Sequence, residues 1–235
     1  MPYRRLPNTD ISRIKALKTA IEKATNVDFR EIAISTKVLN EAKSIVRKFE
    51  ELNYLYQDKF DTQVKANIIF QKKVKNARMY ISHFIQVLYM SIIRSEIKKE
   101  FLAYYGLENH NMILPDLNSH DQIQEWGNNI IKGETKRINE GGVPIYNPTI
   151  AKVKVMYSIF DEGYQIQKIH QKATNKVLDD ISSYREIVDY IISQIWDEVE
   201  MYNSQFKPED RLDKNREYGI VYYYRKGEKI LDDDN

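Results

Sequence analysis

Apolar residues recur at spacings of three and four along most of this chain, the repeat of a helix that turns one face to a core. The first run is Ile11, Ile14, Leu17 and Ile21, and it follows Asn8-Thr9-Asp10. Such side chains accept hydrogen bonds from the free N–H groups at a helix start, so a short helix to about Ala24 is expected. Residues 25 to 34 read as a connection. Ser35-Thr36 then caps a second helix carrying Leu39, Ala42, Val46, Phe49, Leu52 and Tyr56, and the pattern continues through Phe60, Val64, Ile68, Val74, Ala77, Ile81, Phe84, Leu88 and Ile92. It ends near Tyr105-Gly106, where glycine suits the left-handed position beyond a last turn. Neither glycine nor proline occurs between Pro7 and Gly106. Unbroken, this helix spans about 70 residues, or about 105 Å at 1.5 Å per residue. The stripe loses phase between Tyr54 and Phe70, and Asp61 could cap a new start, so one helix and two helices broken near 57–62 both stay open.

Residues 107 to 118 form a loop by this reading, and Ser119-His120-Asp121-Gln122 has the spacing of a capping box. The third helix carries Ile123, Trp126, Ile130, Ile131 and Ile138 and stops at Gly141-Gly142. Asn147-Pro148 supplies a cap and a proline for the first helical position. The last long helix runs from Val153 through Phe160, Val177, Val188, Ile195 and Val199 to Phe206, with Gly163 its one weak point and Lys207-Pro208 its end. The tail changes period. Tyr218-Gly219-Ile220-Val221-Tyr222-Tyr223-Tyr224-Arg225 has the β-branched and aromatic content of a strand, Lys226-Gly227 that of a turn, and Glu228 to Ile230 that of a short return. A lone hairpin is marginal in water, so this one is expected to pack on the helices or to pair with the extended Tyr3-Arg4-Arg5-Leu6.

The expected fold is all-α: an elongated antiparallel bundle with two very long helices and a small C-terminal β-hairpin. Residues 1–206 form one bundle domain in this reading, and residues 207–235 a tail.

With 42% hydrophobic and 30% charged residues in 235, the composition is that of a folded chain with a solvated surface. No segment approaches the roughly 18 apolar residues of a membrane helix. The first ten residues lack the apolar run of a secretory signal, and cysteine is absent. A soluble, cytoplasmic protein without disulfides is expected. The net charge of +2 is small but unevenly spread: residues 1–48 hold 11 Lys and Arg against 5 acidic residues, and residues 196–235 hold 7 against 11. The two ends are electrostatically complementary and are expected to lie near each other or near a neighbouring copy's opposite end.

Candidate chemistry is sparse. The Glu-x-x-His spacing of a di-iron bundle is missing, as are the nucleotide-binding and hydrolase motifs, so no catalytic residue, metal or cofactor is assigned. Arg78-Met79-Tyr80-Ile81-Ser82-His83 resembles the Arg-x4-His motif of HEPN ribonucleases, which are also helical bundles. That likeness implies an arginine on phosphate and a histidine in acid–base cleavage. A chain with this composition matches the pattern readily by chance.

The seventeen tyrosines fall mostly on the helical stripes, where an apolar ring fills a narrow core and the hydroxyl reaches water. The tail is the exception. Tyr222 and Tyr224 share one face of the expected strand, Tyr223 and Arg225 the other, and such an edge could recruit another chain by strand addition. Tyr3, Arg4, Arg5, Tyr218, Tyr222, Tyr224 and Arg225 are therefore the candidate partner-binding residues.

The opening Met-Pro-Tyr-Arg-Arg-Leu-Pro-Asn-Thr-Asp and the closing Arg-Glu-Tyr-Gly-Ile-Val-Tyr-Tyr-Tyr-Arg (216–225) resemble a set of uncharacterised proteins from Bacteroidota. The resemblance implies a bacterial, intracellular protein whose termini form a joint feature, and it carries over no activity. The leading expectation is a non-enzymatic structural or interaction protein, binding a protein partner or another copy. A nucleic-acid-associated protein using Arg4, Arg5, Arg13, Lys15 and Lys18 is the second reading, and a HEPN-like ribonuclease the third.

Overall fold

The computed structural model describes residues 3–225. Its elements are β1 (Tyr3–Arg4), α1 (Asp10–Asn26), α2 (Thr36–Ile93), α3 (His120–Asn139), α4 (Ile150–Asn203), α5 (Pro208–Glu217) and β2 (Tyr222–Tyr223), with 3-10 turns at Phe29–Glu31 and Lys99–Tyr105. The protein is all-α, dominated by α2 and α4 of 58 and 54 residues, with one small two-stranded antiparallel sheet formed by β1 and the C-terminal β2. No helix among the described residues is long and apolar enough to cross a membrane.

The helix starts follow their caps. Thr9 Oγ1 accepts from Ser12 N at 3.2 Å, and Ser35 receives the N–H groups of Val38 and Leu39. Ser119 and Gln122 form a complete capping box, with bonds of 3.1 and 2.9 Å. The helix ends depart more from expectation. α2 runs unbroken through 57–62 but stops at Ile93, short of Tyr105. There Ser95 takes a φ of +62°, Ser91 O accepts the N–H groups of Glu96 and Ile97, and Arg94 closes on Glu96 at 2.7 and 2.9 Å. These local bonds replace the next helical turn. α4 starts at Ile150, because Thr149 rather than Asn147 caps it, accepting from Lys152 N and Val153 N. Pro208 ends nothing further on; it occupies the first position of α5, which its missing N–H and fixed φ suit.

The described chain forms two compact units, residues 3–59 with 174–225 and residues 60–173. The residues from 207 to 225 lie in the first of these units. The physical reason for two units lies in the stripes: α2 buries no apolar side chain between Leu52 and Phe70, and α4 none between Phe160 and Val177.

In the first unit, Leu17, Phe49, Val188, Ile195, Trp196 and Val199 form the centre of the core. Truncating a buried residue such as Trp196 costs about 3–5 kcal/mol. α1 packs through Leu17 and through Ala16, Ala20 and Ala24, whose small side chains allow close approach, and Ile11 is left 81% exposed. Ser35 N and Oγ donate to Glu198 at 2.7 and 2.9 Å, so the start of α2 meets the end of α4 and the two run antiparallel. The charge asymmetry of the sequence is spent here: Arg4 reaches Asp197 and Glu200, and Lys23 reaches Glu217 at 2.5 Å.

In the second unit, Phe70, Phe84, Leu88, Tyr105, Ile123, Ile130 and Phe160 are buried together. The Phe70 ring stacks on Phe160 and Tyr164 at 5.9 and 6.1 Å, with His120 edge-on at 5.0 Å. Gly163 permits this contact, since a Cβ there would lie 3.0 Å from the Phe70 ring. α2 and α4 are antiparallel in this unit as well, Phe70 meeting Tyr164 and Tyr80 meeting Lys152.

Candidate interaction site at the joined termini

β1 and β2 bring the two ends of the chain together. They pair antiparallel, Tyr3 opposite Tyr223 and Arg4 opposite Tyr222, and Arg5 N donates to Val221 O at 3.4 Å. The tail thus pairs with the N-terminal segment, and the return expected at 228–230 lies outside the described residues. Each strand keeps one edge without a strand partner among the described residues.

Successive side chains of a strand point to opposite faces, and here the two faces do different things. On the inner face, Arg4 donates to Glu200 at 3.1 Å and to Asp197. Tyr222 Oη donates to Glu200 Oε1 at 2.6 Å and accepts from Asn215 Nδ2 at 2.9 Å, and Asn215 Oδ1 accepts from the buried Asn203 at 2.8 Å. Burial pushes the Tyr222 hydroxyl well above the usual tyrosine range, and the Glu200 carboxylate adds to it. Tyr218 is 4% exposed in the core, where a partner cannot reach it, and burial raises its hydroxyl too. The Tyr224 hydroxyl is buried with no hydrogen-bond partner among the described residues. Of the seven candidate residues, Arg4, Tyr218 and Tyr222 therefore anchor the sheet, and Tyr224 is half-buried beside them.

The outer face carries the rest. Tyr3, Arg5, Val221, Tyr223 and Arg225 are all exposed. The rings of Tyr3 and Tyr223 lie 6.2 Å apart, and the Arg225 guanidinium sits 5.8 Å from the Tyr3 ring. Beside them runs a groove of about 510 Å³ whose wall includes Arg5, Leu6, Lys15, Arg216 and Val221. Gly219 makes this junction possible: its φ is +82°, and a Cβ would lie 3.4 Å from Ala16 O and 3.3 Å from Thr19 Cβ on α1. Gly219 carries a sequence signal for this, since a glycine between Tyr218 and Ile220 in a strand-like run marks a close backbone approach, whereas Arg216 carries none.

The other candidate residues are dispersed. Of the five cations of the nucleic-acid reading, Arg4, Arg13 and Lys18 are engaged by Glu200, Asp189 and Glu50, which leaves Arg5 and Lys15 on the groove. Arg78 Nη2 donates to Asn118 O at 3.0 Å, whereas His83 is exposed. Five residues of helix separate them by about 140° of rotation, so they do not face one site.

A second polar feature escaped the sequence. In the second unit, Arg137 and Glu134 of α3 form an ion pair at 2.8 Å with side chains only 3% and 0% exposed. Tyr105 Oη donates to Glu134 Oε2, Ile145 N donates to Glu134 Oε1 at 3.2 Å, and Arg137 Nη2 donates to Val143 O at 2.8 Å. Burial pushes the Tyr105 hydroxyl far up, reinforced by Glu134. For Arg137, burial is the largest influence and works to lower the pKa, but the hydrogen bonds and charges of Glu134 and Tyr105 together outweigh it and the net shift is upward. The pair was findable: the spacing of Ile123, Trp126 and Ile130 continues onto positions 134 and 137, which puts both charges on the apolar face.

Among the described residues, no group of three or more acidic or histidine side chains is placed to hold a metal ion. No family model, curated protein or solved structure matches this chain.

Proposed function

We propose that this chain is a cytoplasmic, non-enzymatic interaction protein whose joined termini dock an acidic, extended segment of another protein. The observation that carries the reading is the sheet's division of labour: the inner residues are consumed in anchoring, while Tyr3, Arg5 and Tyr223 stand outward beside strand edges that have no strand partner among the described residues. An open edge offers main-chain hydrogen bonds, and alternate side chains give specificity. Arg5 and Lys15 have no carboxylate partner among the described residues, so the groove favours negative charge. The same positive charge opposes a second copy docking face to face.

Single-stranded nucleic acid is the weaker reading. Tyrosines can stack on bases, but a phosphate chain needs a track of cations, and three of the five candidates are already paired.

Selection of a displayed random-peptide library on the immobilised protein tests the proposal. Convergence on acidic, β-forming peptides that lose binding in Arg5→Glu and Lys15→Glu is expected. Peptides without acidic character, or binding indifferent to both substitutions, would overturn it. So would tight, salt-sensitive binding of oligothymidine at about 50 mM salt.

A further inference from the structure

A buried Glu–Arg pair is a poor device for stability alone, because desolvation offsets most of the attraction and apolar residues of the same volume do as well or better. The Glu134–Arg137 pair sits against a cavity. Arg137 Nε donates to Tyr105 Oη and Glu134, and Nη2 donates to Glu134 and Val143 O. Nη1 has no acceptor among the described residues, yet it is not sealed from solvent. Arg137 forms part of the wall of a cavity of about 740 Å³. Small-molecule sites typically enclose about 300–1,000 Å³.

The rest of the wall fits an amphipathic guest. Val87, Ile97, Phe101 and Ile145 supply apolar surface, and the exposed Lys98 has no carboxylate partner among the described residues. The two acidic residues of the wall are already engaged, Glu96 by Arg94 at 2.7 Å and Glu140 by the Tyr104 hydroxyl at 2.7 Å. The guanidinium is also held close to the loop after α3. A Cβ on Gly142 would lie 2.7 Å from Nη1 and 2.8 Å from Arg137 O, so only glycine leaves that nitrogen unobstructed.

We propose that this cavity binds a small organic carboxylate with an apolar body. The carboxylate accepts from Arg137 Nη1 and the Lys98 ammonium, and the body lies on Val87, Ile97, Phe101 and Ile145. Glu134 and Tyr105 hold the guanidinium in place and fix which of its edges faces the guest.

The probe is 1-naphthylacetate, titrated into the full chain by fluorescence and calorimetry, with the neutral 1-naphthylacetamide and inorganic phosphate as the other arms. Saturable binding of the carboxylate is expected, with the amide at least about tenfold weaker, as loss of a charge-assisted hydrogen bond implies. Phosphate should compete weakly, since it lacks the apolar half. Lys98→Met, a surface change, should weaken binding about tenfold while the melting temperature stays unchanged. Arg137→Lys should abolish binding, but its folding must be checked separately. Equal affinity for acid and amide, no binding of the acid, phosphate binding as tightly as the acid, or an unaltered affinity in Lys98→Met would each overturn the proposal.

Discussion

Arg185 on α4 closes on Asp10, in the first turn of α1, with two parallel hydrogen bonds of 2.8 Å from Nε and Nη2. Arg13 on α1 returns the arrangement, gripping Asp189 of α4 at 2.8 and 2.9 Å. Two bidentate pairs of opposite polarity thus fix the register of α1 on α4, a geometric role that point charges on flexible stems would not fill.

The pair makes stability depend on pH. The Arg185 hydrogen bond holds the Asp10 carboxyl below its usual range. A depressed folded pKa means that the unfolded chain binds the proton first. The contribution is therefore complete above the unfolded value of about 3.9 and is lost as pH falls through the lower folded value. Asp10→Asn should cost about 1–3 kcal/mol in urea unfolding at pH 7. The gap from wild type should narrow progressively as pH falls below about 3.9; a gap independent of pH would contradict the assignment.

His120 gives a second pH effect in a different window. Burial among Phe70, Phe160 and Tyr164 lowers its pKa from 6.5, with Arg78 acting in the same direction and Asp121 against it. The neutral imidazole is the form the fold accepts. Its contribution is complete above pH 6.5 and falls away as pH drops through the folded pKa. His120→Gln should flatten the fall in melting temperature as pH drops below 6.5, which differential scanning calorimetry measures.

The buried pair on α3 predicts strong coupling. Arg137→Met leaves Glu134 charged and uncompensated, at a cost of about 3–5 kcal/mol. Adding Glu134→Leu should recover part of that loss, because the stranded charge goes with it. Chemical denaturation of both singles and the double gives the coupling, and additive losses would contradict it.

What could be read from the sequence follows from how local each cause is. The caps at Thr9, Ser35 and Ser119 were legible because a cap is a bond between a side chain and its own neighbouring backbone. The end of α2 at Ile93 was not, since a left-handed Ser95 carries no residue-type signal. The division into two units was hidden by Phe60, Val64 and Ile68, which keep core spacing while 42%, 42% and 59% exposed. The joining of the termini was legible in the opposite charges of the two ends. Which residues would face outward was not, because the inner or outer position of Arg4 and Tyr222 depends on a register set by pairing.

Amide chemical-shift mapping tests the docking account most directly. On titrating the isotope-labelled protein with an extended peptide alternating glutamate and valine, the largest shifts should fall on Tyr3, Arg5, Val221 and Tyr223 and vanish in Arg5→Glu. Shifts centred on helix surfaces away from this sheet, or none at a peptide excess, would contradict it.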